Sequence, residues 1–166
     1  MINTTELRMG NYVLFNKQVI MVKGVTANAV MLEGVMYDTG NPNYPYEYKL
    51  VPASEASIQP IPLNDVILQE VCGKIPMNGG YAYKYYGSRV TFLIYEYEEG
   101  YFIGMNYMDS VFHITPCHLQ SFHQLQNVFF AQYGFEMNID EKILRRCINN
   151  AVQNGLIQSS GHQPLT

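Results

Sequence analysis

The stretch PCHLQSFHQLQNVFFAQY, Pro116 to Tyr133, sets how the rest of the chain is read, because it is amphipathic at helical spacing yet carries polar groups on its apolar side. At about 100° per residue, Leu119, Phe122, Leu125, Phe129, Phe130 and Tyr133 fall on one broad arc, and His118 and Gln126 point into that same arc. Thr115 suits an N-cap and Pro116 the first helical position, so the pattern predicts a helix over 116–133. So broad an apolar arc must be buried against something.

Immediately before it the chain reads as an antiparallel meander, from Tyr81 to Ile114. Tyr81, Tyr83 and Tyr85 share one face, Gly87-Ser88 turns the chain, Arg89 to Tyr97 alternates, and Glu98-Glu99-Gly100 turns it again. Tyr101, Ile103, Met105 and Tyr107 then follow with period two, and a last strand, Val111 to Ile114, leads into the helix. Further out, the first 60 residues read as short strands at Asn11 to Phe15, Val19 to Val25, Val30 to Leu32 and Tyr46 to Val51. They are broken at Asn16-Lys17, at Thr26 to Asn28, and by a loop rich in Gly, Asn and Pro from Asp38 to Pro45. Short strands in so small a region must close on themselves to avoid bare edges, which predicts a small SH3-like β-barrel with Gly10 allowing a tight turn at its start.

Pro60-Ile61-Pro62 is a stiff extended hinge and the best domain boundary. After it Asn64 or Asp65 caps a short helix with Val66, Ile67, Leu68 and Val71 as its apolar positions and Gly73 as its left-handed stop. A further helix spans Ile139 to Asn154, with Asn138 and Glu141 as a variant capping box. Ile143, Leu144, Cys147, Ile148, Ala151 and Val152 cover half of it, a face that must dock on the meander or pair with a second copy. Ser159 to Thr166 reads as a loose tail. The expected architecture is α+β: a small SH3-like β-barrel (1–60), then a short helix, antiparallel meander and amphipathic helix (61–137), then a C-terminal helix and tail (138–166).

At 166 residues, 48% hydrophobic and 14% charged, the chain is too apolar and too weakly charged to stay disordered. A net charge of −4, with ten scattered basic residues of which only Arg145 and Arg146 are adjacent, argues against a dominant phosphate-binding role. The three cysteines, Cys72, Cys117 and Cys147, are odd in number and widely spaced, as expected of reduced thiols in a cytoplasm. Met1 to Glu6 lacks the basic flank and apolar run of a secretory signal, and no apolar stretch approaches the roughly 20 residues that cross a bilayer. The expectation is a soluble intracellular protein without a membrane partner.

Chemistry-bearing residues are few. Cys117 and His118 stand at the predicted helix start, where the macrodipole favours a thiolate, but no orienting carboxylate is visible and no catalytic residue is assigned. His113, Cys117, His118 and His123 tempt a metal reading. The paired CxxC spacing of a strong zinc site is missing, however, and the ligands would straddle a strand and a helix, so neither metal nor cofactor is expected. Glu96, Glu98 and Glu99 read as a solvated hairpin end, and the glycines form neither a P-loop nor GxGxxG.

Fourteen tyrosines with no tryptophan leave Tyr83, Tyr85, Tyr86 and Tyr95 as candidates to stack bases or line a protein interface. The competing reading, which we favour, is ordinary packing in a half-buried sheet. Only Lys84 and Arg89 are interleaved with them, which weakens a nucleic-acid reading. His123 and Asn127 lie one helical turn apart at the rim of the apolar stripe, with Gln126 inside it. They either read a partner or fasten the helix to its own meander. Because an unpaired buried amide costs about 1–3 kcal/mol, satisfaction within the chain is the default.

Three segments taken together, ELRMGNYV at 6–13, Ile61-Pro62-Leu63 before the short helix, and HQLQNVFFA at 123–131, resemble in that order a family of small uncharacterised proteins encoded by phages, prophages and other mobile elements of Bacteroidetes. The resemblance spans about residues 5 to 137 and is most specific in the helix. It implies a genomic setting and a bacterial host cytoplasm, with no activity and no catalytic residue. Asp38 to Tyr48 looks expanded relative to the pattern, and the helix from Ile139 onward lies beyond it. The resulting expectation is a non-enzymatic accessory protein, a binding module for a host or phage protein acting through its barrel or its tyrosine-rich meander. One alternative is a ligand-sequestering protein or small enzyme with a pocket between helix and meander near Cys117, His118, His123 and Gln126. Another is a nucleic-acid-binding small barrel, and self-association through Ile143 to Val152 is a further possibility.

Overall fold

Residues Tyr12–Phe15 (β1) form an unbroken apolar run, YVLF, because both faces of this strand are covered: Val13 belongs to one core, Tyr12 and Leu14 to another. The structure, a computed structural model, describes residues 2–38, 40, 46–52, 58–77, 80–86, 91–97, 100–107, 110–113 and 118–153. A two-residue turn joins β1 to Gln18–Val25 (β2), with Asn16 and Lys17 both at positive φ (49° and 67°), the mirror-image turn whose twist matches a hairpin. The chain continues through Ala29–Asp38 (β3) to Tyr46–Pro52 (β4), while Ile58–Gln59 (β5) returns to the far side of β1, giving the order β4-β3-β2-β1-β5. Register shifts between Val22 and Gly24 and between Met31 and Met36 bend these strands, the second one containing Gly34 at φ 74°. The third strand therefore runs well past the expected Leu32, because Gly34 absorbs the break in alternation that reads locally as a strand end.

The second sheet is a consecutive antiparallel meander of Lys74–Met77 (β6), Gly80–Tyr86 (β7), Thr91–Tyr97 (β8), Gly100–Tyr107 (β9) and Ser110–His113 (β10). Neither β5 nor β6 is expected from the sequence. Pro76 hides β6, yet a proline is tolerated on the sheet's edge, where a missing N–H breaks no ladder. The molecule is thus α+β with two antiparallel sheets, one curled into a half-barrel.

Residues Asp65–Val71 (α1) are capped by Asn64, whose side chain accepts from the Ile67 N–H at 3.0 Å. The expected left-handed stop at Gly73 is not used; α1 ends on Cys72 at φ −113°. The main amphipathic helix, Phe122–Tyr133 (α2), starts six residues later than the expected Pro116, with Ser121 as its N-cap and Gly134 (φ 75°) as its C-cap. Leu119 is not helical: it exchanges backbone hydrogen bonds with Tyr101 at 2.7 and 3.2 Å and is buried from a bridge instead. Glu141–Gln153 (α3) is capped by Asp140, which accepts from the Lys142 and Ile143 N–H groups, rather than by Asn138. The expected features at Gly87-Ser88, Arg89, Glu98-Glu99, Ile114 to Cys117 and Asn154 to Thr166 lie outside the described residues. So do the side chains of Tyr81, Tyr86, Met105, Tyr107, His113 and Val152.

A small core inside the first sheet is made by Ile2, Leu7, Val13, Val22, Leu32 and Ile58, among others. The larger core draws on all three segments of the chain, with Tyr12 and Leu14, Ile67, Tyr83, Phe122 and Phe129, and Leu144 and Ile148 in one cluster. Pro60-Ile61-Pro62 runs extended, as expected, and is pinned to the start of α2: the Phe122 N–H donates to the Ile61 carbonyl and the Leu63 N–H to the Gln120 carbonyl, both at 2.8 Å. Helix α3 packs on α1 and touches β2. Among the described residues no helix is long and apolar enough to cross a membrane.

Candidate functional site

The segment from Glu6 to Tyr12 crosses the face of α2, and the polar residues of both stretches meet along that seam. Gly10 turns the chain at φ 92°, a conformation that a side chain disfavours, and a Cβ there would lie 2.9 Å from a Glu136 carboxylate oxygen. The turn leaves the Gly10 carbonyl and the Tyr12 N–H facing α2. Gln126, almost wholly buried, meets both: its Oε1 accepts from the Tyr12 N–H at 2.9 Å and its Nε2 donates to the Gly10 carbonyl at 3.1 Å. One residue on, Asn127 Oδ1 accepts from Asn11 Nδ2 at 2.9 Å, and Asn127 Nδ2 donates to the Glu6 carbonyl. Asn11 Oδ1 in turn accepts from the Arg8 N–H at 2.9 Å.

Arg8 closes the seam. Its guanidinium grips the Glu136 carboxylate, donates to the Gln126 carbonyl at 3.1 Å, and stacks 4.1 Å over the Phe130 ring. At the other end His123 is buried, with Nε2 3.4 Å from Ser121 Oγ and 3.7 Å from Glu6 Oε2, and with Nδ1 lacking a hydrogen-bond partner among the described residues. Burial pushes the His123 pKa below the ordinary histidine value, and the nearby Glu6 carboxylate opposes that shift without reversing it. The ring is therefore neutral at pH 7.

No family model, no curated protein and no solved structure matches this chain.

The remaining candidates are dispersed. Tyr83, Tyr85 and Tyr95 are buried, so none of the three presents a face for stacking or docking, and the packing reading fits them. Tyr85 accepts from the Asn138 N–H at 2.8 Å and sits edge-on to Phe129, tying β7 to the segment after α2. Tyr83 stacks edge-on to Tyr101, whose hydroxyl donates to Asp65 at 2.9 Å. His118 sits against the Phe102 ring at 4.5 Å, away from His123, and its Cβ presses so closely on Gly100 that no side chain would fit there.

Burial pushes the half-buried Cys72 thiol up to about 12 and also raises Cys147, with Glu70 adding to the second shift. Both are poor nucleophiles. Cys117 lies outside the described residues. Clefts of about 490 Å³ beside Glu70, Asn138 and Asp140 and of about 320 Å³ beside Phe15, Glu33 and Arg145 open elsewhere, and neither touches His118, His123 or Gln126. Of the expected cluster the structure thus brings together His123, Gln126 and Asn127, and joins them to Glu6, Arg8, Asn11 and Glu136. Those four partners were not singled out from sequence. The available signal was Arg8 and Asn11, two polar residues in an otherwise strand-forming stretch.

Proposed function

We propose that the chain is a non-enzymatic accessory protein of a phage or mobile element. In this reading it is a binding module for a host or phage protein, its first sheet is an SH3-like barrel, and it works in the cytoplasm of a bacterial host. The observation that carries the binding role is the exposed pair Met9 and Phe130, 66% and 38% accessible, brought to one place by Arg8. The guanidinium covers one side of the Phe130 ring and donates to the Met9 carbonyl at 3.1 Å, while Glu136 neutralises its charge. Met, Phe and Arg are the residue types enriched in the buried centre of protein interfaces, and a neutralised arginine is less costly to desolvate there. This moves the proposed contact from Tyr83, Tyr85 and Tyr95, which are buried, to the seam at the start of the first sheet.

The pocket reading has less support, since Gln126 and Asn127 spend their hydrogen bonds within the chain. The test is capture from host lysate by the wild-type chain and by Met9→Glu in parallel. Loss of a captured protein at least about tenfold, about 1.4 kcal/mol, with unchanged thermal unfolding of the variant, is the expected result. Equal capture by both chains would remove Met9 from the binding surface. Turnover of nucleotides or cyclic signalling molecules by purified wild-type protein would overturn the non-enzymatic reading.

A further inference from the structure

We infer that the seam between the Glu6–Tyr12 segment and α2 is acid-sensitive, with His123 as the group that opens it, whatever partner the protein binds. The geometry rests on three observations. The imidazole is almost completely buried, its Nε2 already faces Ser121 Oγ and Glu6 Oε2, and its Nδ1 has no acceptor among the described residues. A neutral ring protonated on Nε2 suits this site, because the bare Nδ1 asks for nothing that burial denies strongly. A second proton must go on Nδ1, where the new N–H finds no acceptor, and a buried charge adds its own desolvation cost.

Relief requires the imidazole to move out toward water, and that movement displaces the half-exposed Glu6 carboxylate 3.7 Å from Nε2. Glu6 also receives Gln124 Nε2 at 3.4 Å, and its carbonyl receives Asn127, so displacing Glu6 loosens the seam's first three fastenings together. Glu6 is the charged group that acts on His123; α2 itself carries no other ionisable residue before Tyr133, and Arg8 with Glu136 lies further along, at Gln126 and Phe130.

The sign follows from linkage. The closed seam holds the imidazole below the ordinary value of 6.5, whereas an open seam restores that value, so the closed state binds fewer protons. Stabilisation of the closed seam is complete above 6.5 and is lost as pH falls toward the lower, closed-state value. Within that window the opening constant rises about tenfold per pH unit.

Amide hydrogen exchange at the Tyr12 N–H, corrected for intrinsic rate and followed from pH 7.5 downward, reads this opening. Wild-type protein is expected to show the rise and His123→Gln to be flat. An unchanged wild-type opening constant, or the same rise in His123→Gln, would overturn the inference. Should His123→Gln fail to fold, NMR titration of the wild-type imidazole decides alone: a midpoint below 6.5 that falls further in Glu6→Gln supports the seam, and a midpoint at or above 6.5 rejects it.

Discussion

Gln126 is a long amide in the middle of an apolar helical face, and it holds that place by pairing with two backbone groups of a segment over a hundred residues away. Replacing it with leucine keeps the apolar volume and strands the Tyr12 N–H and the Gly10 carbonyl. At about 1–3 kcal/mol for each unsatisfied group, Gln126→Leu is expected to be among the most destabilising single changes on α2, measured as a drop in the midpoint of chemical unfolding. A variant as stable as wild type would mean that water or a shifted backbone replaces the amide. The need for a partner was legible in the sequence, since a buried amide must be paired. The partner was not, because periodicity reports which face a residue occupies and carries no information on what comes to meet it.

For the elements, the start of α2 is the instructive case. Pro116 and Thr115 are good helix-start residues, but Gln124 reaches back to accept from the Gln120 and Ser121 N–H groups at 2.9 and 3.2 Å, and this arrangement begins the helix at Phe122. Extended backbone before it then pairs Leu119 with Tyr101 and Gln120 with Leu63, bonds that a helix over the same residues would forfeit. Gln124→Ala is therefore expected to cost about 0.5–2 kcal/mol, as loss of a cap does, and to raise amide exchange first at Ser121. Equal protection of Ser121 in both proteins would show that the cap is dispensable. The strands were more legible than the helix starts: alternation located most of β1 to β4 and β7 to β10, while β5 is too short to show a period and β6 is masked by Pro76.

Across the whole molecule, the apolar face of α3 left two possibilities, docking within the chain or pairing with a second copy. Leu144, Cys147, Ile148 and Ala151 are buried in the main core alongside residues of β1, α1 and α2, so that part of the face is already occupied within one chain. Because this core spans segments 1–60, 61–137 and 138–166, a cavity at Leu144 should weaken all of them together. Leu144→Ala is expected to lose about 2–5 kcal/mol and to lower one unfolding transition seen alike by far-UV dichroism and by tyrosine fluorescence. If the tyrosine signal kept its wild-type midpoint while helicity melted early, α3 would be an independent element.

By itself the sequence determined the kinds of element and most of their order, because strand and helix periods, turn residues and caps act over a few neighbouring positions. It also determined that Gln126, inside the apolar arc, needed a hydrogen-bond partner, since burial of an amide carries its own demand. Only the tertiary structure decided that Gln126 and Asn127 pair with Glu6, Gly10, Asn11 and Tyr12, that Arg8 and Glu136 lock the same seam, and that Tyr83, Tyr85 and Tyr95 are buried. The physical reason is separation along the chain: Tyr12 and Gln126 are 114 residues apart, and contacts at that distance are set by how sheets and helices pack around the larger core rather than by any local preference.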